Sequence, residues 1–243
     1  MAAPHQLITP EGRRIASHQV PGTGPGVVFL GGFRSDMGGT KAVFLHDWAV
    51  GTGRAFLRFD YSGHGLSGGR FEEGCIGDWL ADAVAVLGLT TGRQVLVGSS
   101  MGGWIALLLA RAMPERVAGL VTIAAAPDFT DEIAAGYGAA ERAAEFVERP
   151  SPHGAPERIT RRLIEDGQRH RVLEAPLHLP MPVRMLQGTA DAEVPMARAL
   201  RLLAHATGPD LALTLVKGAD HRFSTPPCLA LIRDAVEGLG CAG

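Results

Sequence analysis

Five consecutive residues, Gly98-Ser99-Ser100-Met101-Gly102, place a serine two positions from a glycine on either side. The run follows an apolar stretch and opens a helix-favouring one, the arrangement that holds a nucleophilic serine on a sharp turn. A side chain on such a turn sits on strained backbone, and small residues two positions away let the flanking segments pass. Gly98 and Gly102 meet that demand for Ser100. Ser99 is the rival hydroxyl, but the glycines are not spaced for it. A glycine-rich strand-to-helix turn with an incidental serine is the bland alternative.

A serine hydroxyl is a weak nucleophile near neutral pH. It needs a base within hydrogen-bond reach and a carboxylate that holds the base in the right tautomer. Of nine histidines, His221 in Gly218-Ala219-Asp220-His221 follows the last apolar run, from which a loop can return to the serine. His46, His64, His153, His170, His178 and His205 lack that position; His64, in Tyr61-Ser62-Gly63-His64-Gly65, reads as structural, bordering a pocket at most. For the acid, Asp191 ends Gln187-Gly188-Thr189-Ala190-Asp191, with Val194-Pro195 opening the next helix. Asp128 competes, because a carboxylate can reach the imidazole from either strand end, and loop context favours Asp191. Asp60 reads as a turn residue. Acyl transfer builds negative charge on the carbonyl oxygen, so two N–H groups must face it beforehand. Met101, next to the serine, supplies one. Phe33, after Gly31-Gly32, is expected to supply the other, although a tight turn explains those glycines equally well. Such chemistry asks for no cofactor and no metal.

These residues need a scaffold, and the rest of the chain outlines one. Apolar runs bounded by Gly, Pro or Asp alternate with helical periodicity, which predicts an α/β fold with a mostly parallel, doubly wound sheet. Strands are expected at 26–30, 55–59, 94–97, 118–124, 183–186 and 211–216. Helices are expected at 40–50, 76–89, 101–113, 196–206 and 227–239. Between residues 127 and 180 the rhythm breaks into charged, helix-favouring sequence interrupted by Pro150-Ser151-Pro152. There Ile133, Tyr137, Ala140, Ala144 and Val147 follow helical spacing and give one apolar face. Residues 1–126 and 181–243 therefore read as the core, and 127–180 as a small helical lid over the strand ends where ligands bind. Its apolar face favours medium to long acyl chains.

The 243 residues are 46% hydrophobic and 20% charged, enough apolar material for one sizeable core. A formal charge of −2, with both signs mixed along the chain, offers no footprint for nucleic acid, so the expected partner is a small molecule. Cys75, Cys228 and Cys241 form neither a close pair nor a metal-ligand spacing. With no apolar leader near the start and no run long enough to span a bilayer, a reducing, cytoplasmic setting is expected. Oligomeric state is not readable.

Taken together, the chain resembles the α/β-hydrolases, and within them the mycophenolic acid acyl-glucuronide esterase and palmitoyl-protein thioesterase branch. The resemblance rests on Gly39-Thr40-Lys41-Ala42, Arg58-Phe59-Asp60-Tyr61-Ser62-Gly63, Leu96-Val97-Gly98-Ser99-Ser100-Met101-Gly102-Gly103-Trp104, Pro182-Val183-Arg184-Met185-Leu186 and Asp220-His221-Arg222. It implies a serine hydrolase that cleaves fatty-acyl thioesters on protein cysteine or glucuronide acyl esters through an acyl-enzyme, with Ser100, Asp191 and His221 at the matching positions. Three departures stand out: residues 127–170 match poorly; the mitochondrial presequence of the family's animal members is not expected here, so the resemblance does not carry localisation; and Gln187 replaces a histidine often found before that glycine, a change not expected to alter the chemistry. Dehalogenases and epoxide hydrolases share the scaffold but carry a carboxylate at the turn. A non-catalytic receptor on a hydrolase scaffold is the alternative outside enzymes.

Overall fold

The computed structural model describes residues 4–150 and 156–240; His153, Cys241 and the Ser151-Pro152 step lie outside them. The chain forms β1 (His5–Ile8), β2 (Arg14–Val20), β3 (Thr23–Leu30), α1 (Thr40–Thr52), β4 (Arg54–Phe59), α2 (Ile76–Leu87), β5 (Gln94–Ser99), α3 (Met101–Ala112) and β6 (Val117–Ile123). It continues through α4 (Phe129–Ala135), α5 (Ala139–Ala143), β7 (Phe146–Arg149), β8 (Glu157–Thr160) and α6 (Arg161–Arg169). It ends with β9 (Val183–Gly188), α7 (Met196–His205), β10 (Leu211–Val216) and α8 (Pro226–Gly240). One sheet carries the order β1-β2-β4-β3-β5-β6-β9-β10. Within it β2 runs antiparallel to β1 and β4, and the remaining pairs are parallel.

Central strands covered on both faces read as unbroken apolar runs, as Val95-Leu96-Val97 does. The pleat still sorts their side chains. Val27, Phe29, Val95 and Val97 pack with Leu45 and Ala49 of α1 and with Ile232 and Val236 of α8. On the other face Val28, Leu30 and Leu96 pack with Trp79 of α2 and with Trp104 and Ile105 of α3. Each expected strand and helix is present, with ends displaced by at most three residues. Where α1 stops, Gly53 takes φ 68°, a left-handed cap that a glycine adopts without strain. The hairpin β1–β2 was not part of the sequence expectation. Ile15, Ala16 and Ser17 are its only consecutive buried residues, too short a run for a periodicity argument.

The segment between β6 and β9 carries the expected helices, as α4, α5 and α6. It departs from the small helical insertion expected from sequence in that β7 and β8 also pair antiparallel within it. The single apolar face from Ile133 to Val147 is broken as well. Helix α4 ends at Ala135, α5 begins at Ala139, and Val147 lies on β7. Gly136 and Gly138, flanking Tyr137, are poor helix residues, and side-chain spacing alone does not register that interruption. The insertion is anchored from beneath. Asp128 accepts hydrogen bonds from the Val172 and Leu173 N–H groups, both at 2.9 Å, clamping its first turn to its exit. Asp166 of α6 accepts the Gly77 N–H of α2 at 2.6 Å, and Trp104 Nε1 donates to His170 O at 3.0 Å. No helix among the described residues is long and apolar enough to cross a membrane.

Asp82 of α2 ties the remaining loops to this frame. Fully buried, it accepts Arg13 Nε at 2.6 Å, the Ser62 N–H at 2.9 Å and Ser62 Oγ at 2.6 Å. Replacing Asp82 by Ala strands these donors and is expected to lower the unfolding free energy by about 3 kcal/mol or more. Urea titration measures the change, and a loss below about 1 kcal/mol would show that the network contributes little.

Candidate active site

Strand β5 ends at Ser99 and α3 begins at Met101, so Ser100 alone makes the turn, at φ 54° and ψ −118°. A non-glycine residue held there stores on the order of 1–3 kcal/mol of strain. Three hydrogen bonds hold it: the Ser100 N–H donates to Ile123 O at 2.9 Å, and its carbonyl accepts the Gly103 and Ala126 N–H groups at 2.9 and 3.1 Å. The glycines are required by proximity. A Cβ on Gly98 would stand 2.3 Å from Gly102 O, and one on Gly102 would stand 2.1 Å from Leu30 O.

The loop after β10 carries His221 back to this turn. Its Nε2 lies 3.2 Å from Ser100 Oγ, and its Nδ1 lies 2.9 Å from Asp191 Oδ2. Asp191 leaves β9 on a turn that the carboxylate itself fastens, with Oδ1 accepting the Glu193 and Val194 N–H groups at 2.9 and 2.8 Å. Gln187 Nε2 donates to Oδ2 at 3.0 Å. Burial alone would raise the Asp191 carboxyl. The hydrogen bonds from His221, the Val194 N–H and Gln187 outweigh it and hold the group below the usual carboxylate range.

Gly32 lies against the same turn, since a Cβ on it would meet Ser100 Cβ at 3.4 Å. Among the described residues neither the Phe33 N–H nor the Met101 N–H donates to a protein acceptor. For Met101 this follows from its place in the first turn of α3, where N–H groups have no intrahelical partner. Phe33, Ser100, Met101 and His221 line one cavity of about 370 Å³, to which the insertion contributes Phe129, Glu132, Ile133, Arg149, Glu157 and Ile159. A smaller cavity of about 220 Å³ meets Ser100 and His221 from the other side, along Ser35, Lys41 and Arg222.

The structure thus brings Ser100, His221 and Asp191 together and separates the other candidates from them. Asp128 is spent on the backbone at residues 172 and 173, and Asp60 accepts the Met37 and Leu66 N–H groups at 2.6 and 2.7 Å. His64 is buried against Tyr61, Phe71 and Trp79, with Nδ1 3.1 Å from Ser62 O, and does not line the catalytic cavity. Burial pushes the Cys75 thiol up to about 12, which keeps it protonated and unreactive at neutral pH.

Sequence reasoning missed several residues of the site. Gln187, noted only as a substitution, fastens the acid. Glu193 places a carboxylate oxygen 3.6 Å from His221 Nε2. Arg198 of α7 is buried in the cavity wall, where it holds Pro127 O at 3.2 Å and pairs with Glu132 of α4. Phe129, four residues before Ile133 on α4, has a spacing that could have placed it on the same apolar face.

Residues 25–172 match the family described as serine aminopeptidase, S33. The chain is 33% identical to the mouse palmitoyl-protein thioesterase ABHD10, mitochondrial, over 235 residues that cover 93% of this chain and 78% of that protein. Its human counterpart is 31% identical over 242 residues, covering 96% and 78%. Among solved structures, one from Agrobacterium vitis S4 superposes with a TM-score of 0.92 at 41% identity, covering 97% of this chain and 98% of that one. Mouse alpha/beta hydrolase domain-containing protein 10 superposes with a TM-score of 0.91 at 33% identity, covering 98% of both.

The depressed Asp191 carboxyl links the site to stability. A group that titrates lower in the folded state than its unfolded value of about 3.9 stabilises fully above roughly pH 4 and loses that contribution as pH falls through its folded pKa. Wild-type unfolding free energy should therefore decline more steeply between about pH 5 and pH 3 than that of Asp191→Asn. Parallel urea-derived curves for the two proteins would contradict the linkage.

Proposed function

We propose that Ser100 is the nucleophile of this chain, which belongs to the serine aminopeptidase S33 family of α/β-hydrolases and is an ester or thioester hydrolase. The observation that carries the proposal is the continuous path from Ser100 Oγ to His221 Nε2 at 3.2 Å and from His221 Nδ1 to Asp191 Oδ2 at 2.9 Å. In this reading Ser100 Oγ attacks the acyl carbonyl while His221 takes its proton. Asp191 fixes the imidazole tautomer and stabilises the imidazolium. The tetrahedral oxyanion forms against the Phe33 and Met101 N–H groups, whose freedom from protein acceptors fits that task. Collapse returns the proton from His221 to the departing alcohol or thiol and leaves an acyl-enzyme, which water then cleaves by the same steps in reverse order.

Relatives named palmitoyl-protein thioesterases direct the substrate reading toward fatty-acyl thioesters on cysteine. Residues 127–180 serve as the lid in this proposal, with Phe129, Ile133 and Ile159 offering the acyl chain apolar contacts. Buried, unpaired Cys75 and Cys228 fit a reducing compartment, and the proposal sets this chain in the cytoplasm, whereas those relatives are named mitochondrial.

Ser100→Ala is expected to lower kcat on an acyl thioester by about six orders of magnitude. A fluorophosphonate probe should label wild type at Ser100 and leave the variant unlabelled. Wild-type turnover by Ser100→Ala would refute the nucleophile, and an unlabelled wild type would favour a non-catalytic receptor on the same scaffold.

A further inference from the structure

The insertion lines a second, partly open space besides the catalytic cavity. It measures about 170 Å³, lies between α4, α5, β7 and α6, and is walled by Ala134, Tyr137, Ala144, Val147 and Ile164, with exposed Glu141, Arg142, Arg161 and Glu165 around it. Ile159 of β8, only 2% exposed, is common to the linings of both cavities. The same side chain therefore borders both the compartment of Ser100 and a hollow with no part in the chemistry described so far.

We propose, resting on the ester or thioester reading above, that this hollow receives the distal methylenes of the substrate's acyl chain and that Ile159 sets the chain length at which they enter it. Three observations carry the assignment. The catalytic cavity, at about 370 Å³, is near the lower bound of ligand pockets, roughly 300–1,000 Å³, so a long chain needs further room. The larger cavity beside Ser100 is lined by Glu132, Arg149, Glu157, Glu193 and Arg198 but also by Phe129, Ile133, Ile159 and Val194. The smaller one, along Ser35, Lys41 and Arg222, has Phe33 as its one large apolar side chain, so the apolar path from Ser100 is the one that runs past Phe129 and Ile133 to Ile159. Ile159 is common to both linings, and a flexible aliphatic side chain can yield to a methylene chain by a change of rotamer.

Burial of each further methylene is expected to raise kcat/KM about fourfold until the hollow is filled. The test is a series of p-nitrophenyl esters from acetyl to palmitoyl, run on wild type, Ala144→Trp and Ile159→Ala. Ala144 lines the hollow and not the catalytic cavity, so the tryptophan fills the space without touching the reacting groups. The expected result is unchanged acetyl and butyryl turnover by Ala144→Trp with at least a tenfold loss on dodecanoyl and longer esters. Ile159→Ala, compared by thermal melting to verify folding, should move the steep part of the length profile to longer chains. Equal effects of Ala144→Trp on every length, or none on any, would overturn the assignment. Failure of wild type to turn over even acetyl and butyryl esters would instead strike the ester or thioester reading itself, which keeps the two separable.

Discussion

Everything in this site depends on how closely two backbones approach at the end of β5. Helix α3 starts so near the tips of β3 and β5 that a single Cβ at Gly102 would fall 2.1 Å from Leu30 O. That proximity leaves Ser100 no room for an ordinary conformation and fixes it at φ 54°. The strain is sustained because the turn is over-determined by hydrogen bonds to Ile123, Gly103 and Ala126. The same approach leaves the Met101 N–H at the open end of a helix. One steric constraint thereby exposes a hydroxyl and a free N–H side by side, before any histidine is considered.

Buried carboxylates hold the loops that complete the arrangement, and comparing them shows how one residue type serves different ends. Asp60 and Asp128 spend their oxygens on backbone N–H groups, and burial, only partly offset by those bonds, leaves both carboxyls above the usual range. Asp191 uses one oxygen in the same way, on the N–H groups of residues 193 and 194, and directs the other at His221 and Gln187. Burial acts on it too, but the imidazole and the added amide reverse the direction. A carboxylate with one oxygen anchored and one free to meet an imidazole is oriented by its own turn, so β9 needs no further element to aim it.

Legibility in the sequence followed the range of the forces involved. Ser100 and its glycines were readable because steric exclusion acts within five residues and leaves a compositional trace. The buried strands were readable because both faces demand apolar residues. His221 and Asp191 follow predicted strands, although Asp128 occupied an equivalent place, and the commitment of its oxygens to the Val172 and Leu173 N–H groups exists only in the folded chain. The insertion was the least legible part. Its pairing of β7 with β8 joins separate segments of the insertion, and the periodicity of Ile133 to Val147 persists across a chain that is not one helix. Arg198 and Glu132 escaped notice because an ion pair between α4 and α7 joins residues far apart in sequence, with no local pattern to mark either.

Glu193 raises the question of which carboxylate governs the imidazole. Its side chain is 56% exposed and stands 3.6 Å from Nε2, whereas the Asp191 side chain is fully buried and stands 2.9 Å from Nδ1. Charges near water interact weakly, and exposed ion pairs are typically worth about 0–1 kcal/mol. A buried, hydrogen-bonded partner loses about 3–5 kcal/mol when broken. Geometry adds to the difference: Asp191 is locked by three further donors, while Glu193 extends toward solvent along the rim shared by both cavities. The imidazole is therefore oriented from the Nδ1 side, and Nε2 stays turned toward Ser100 Oγ, the direction in which a proton has to travel.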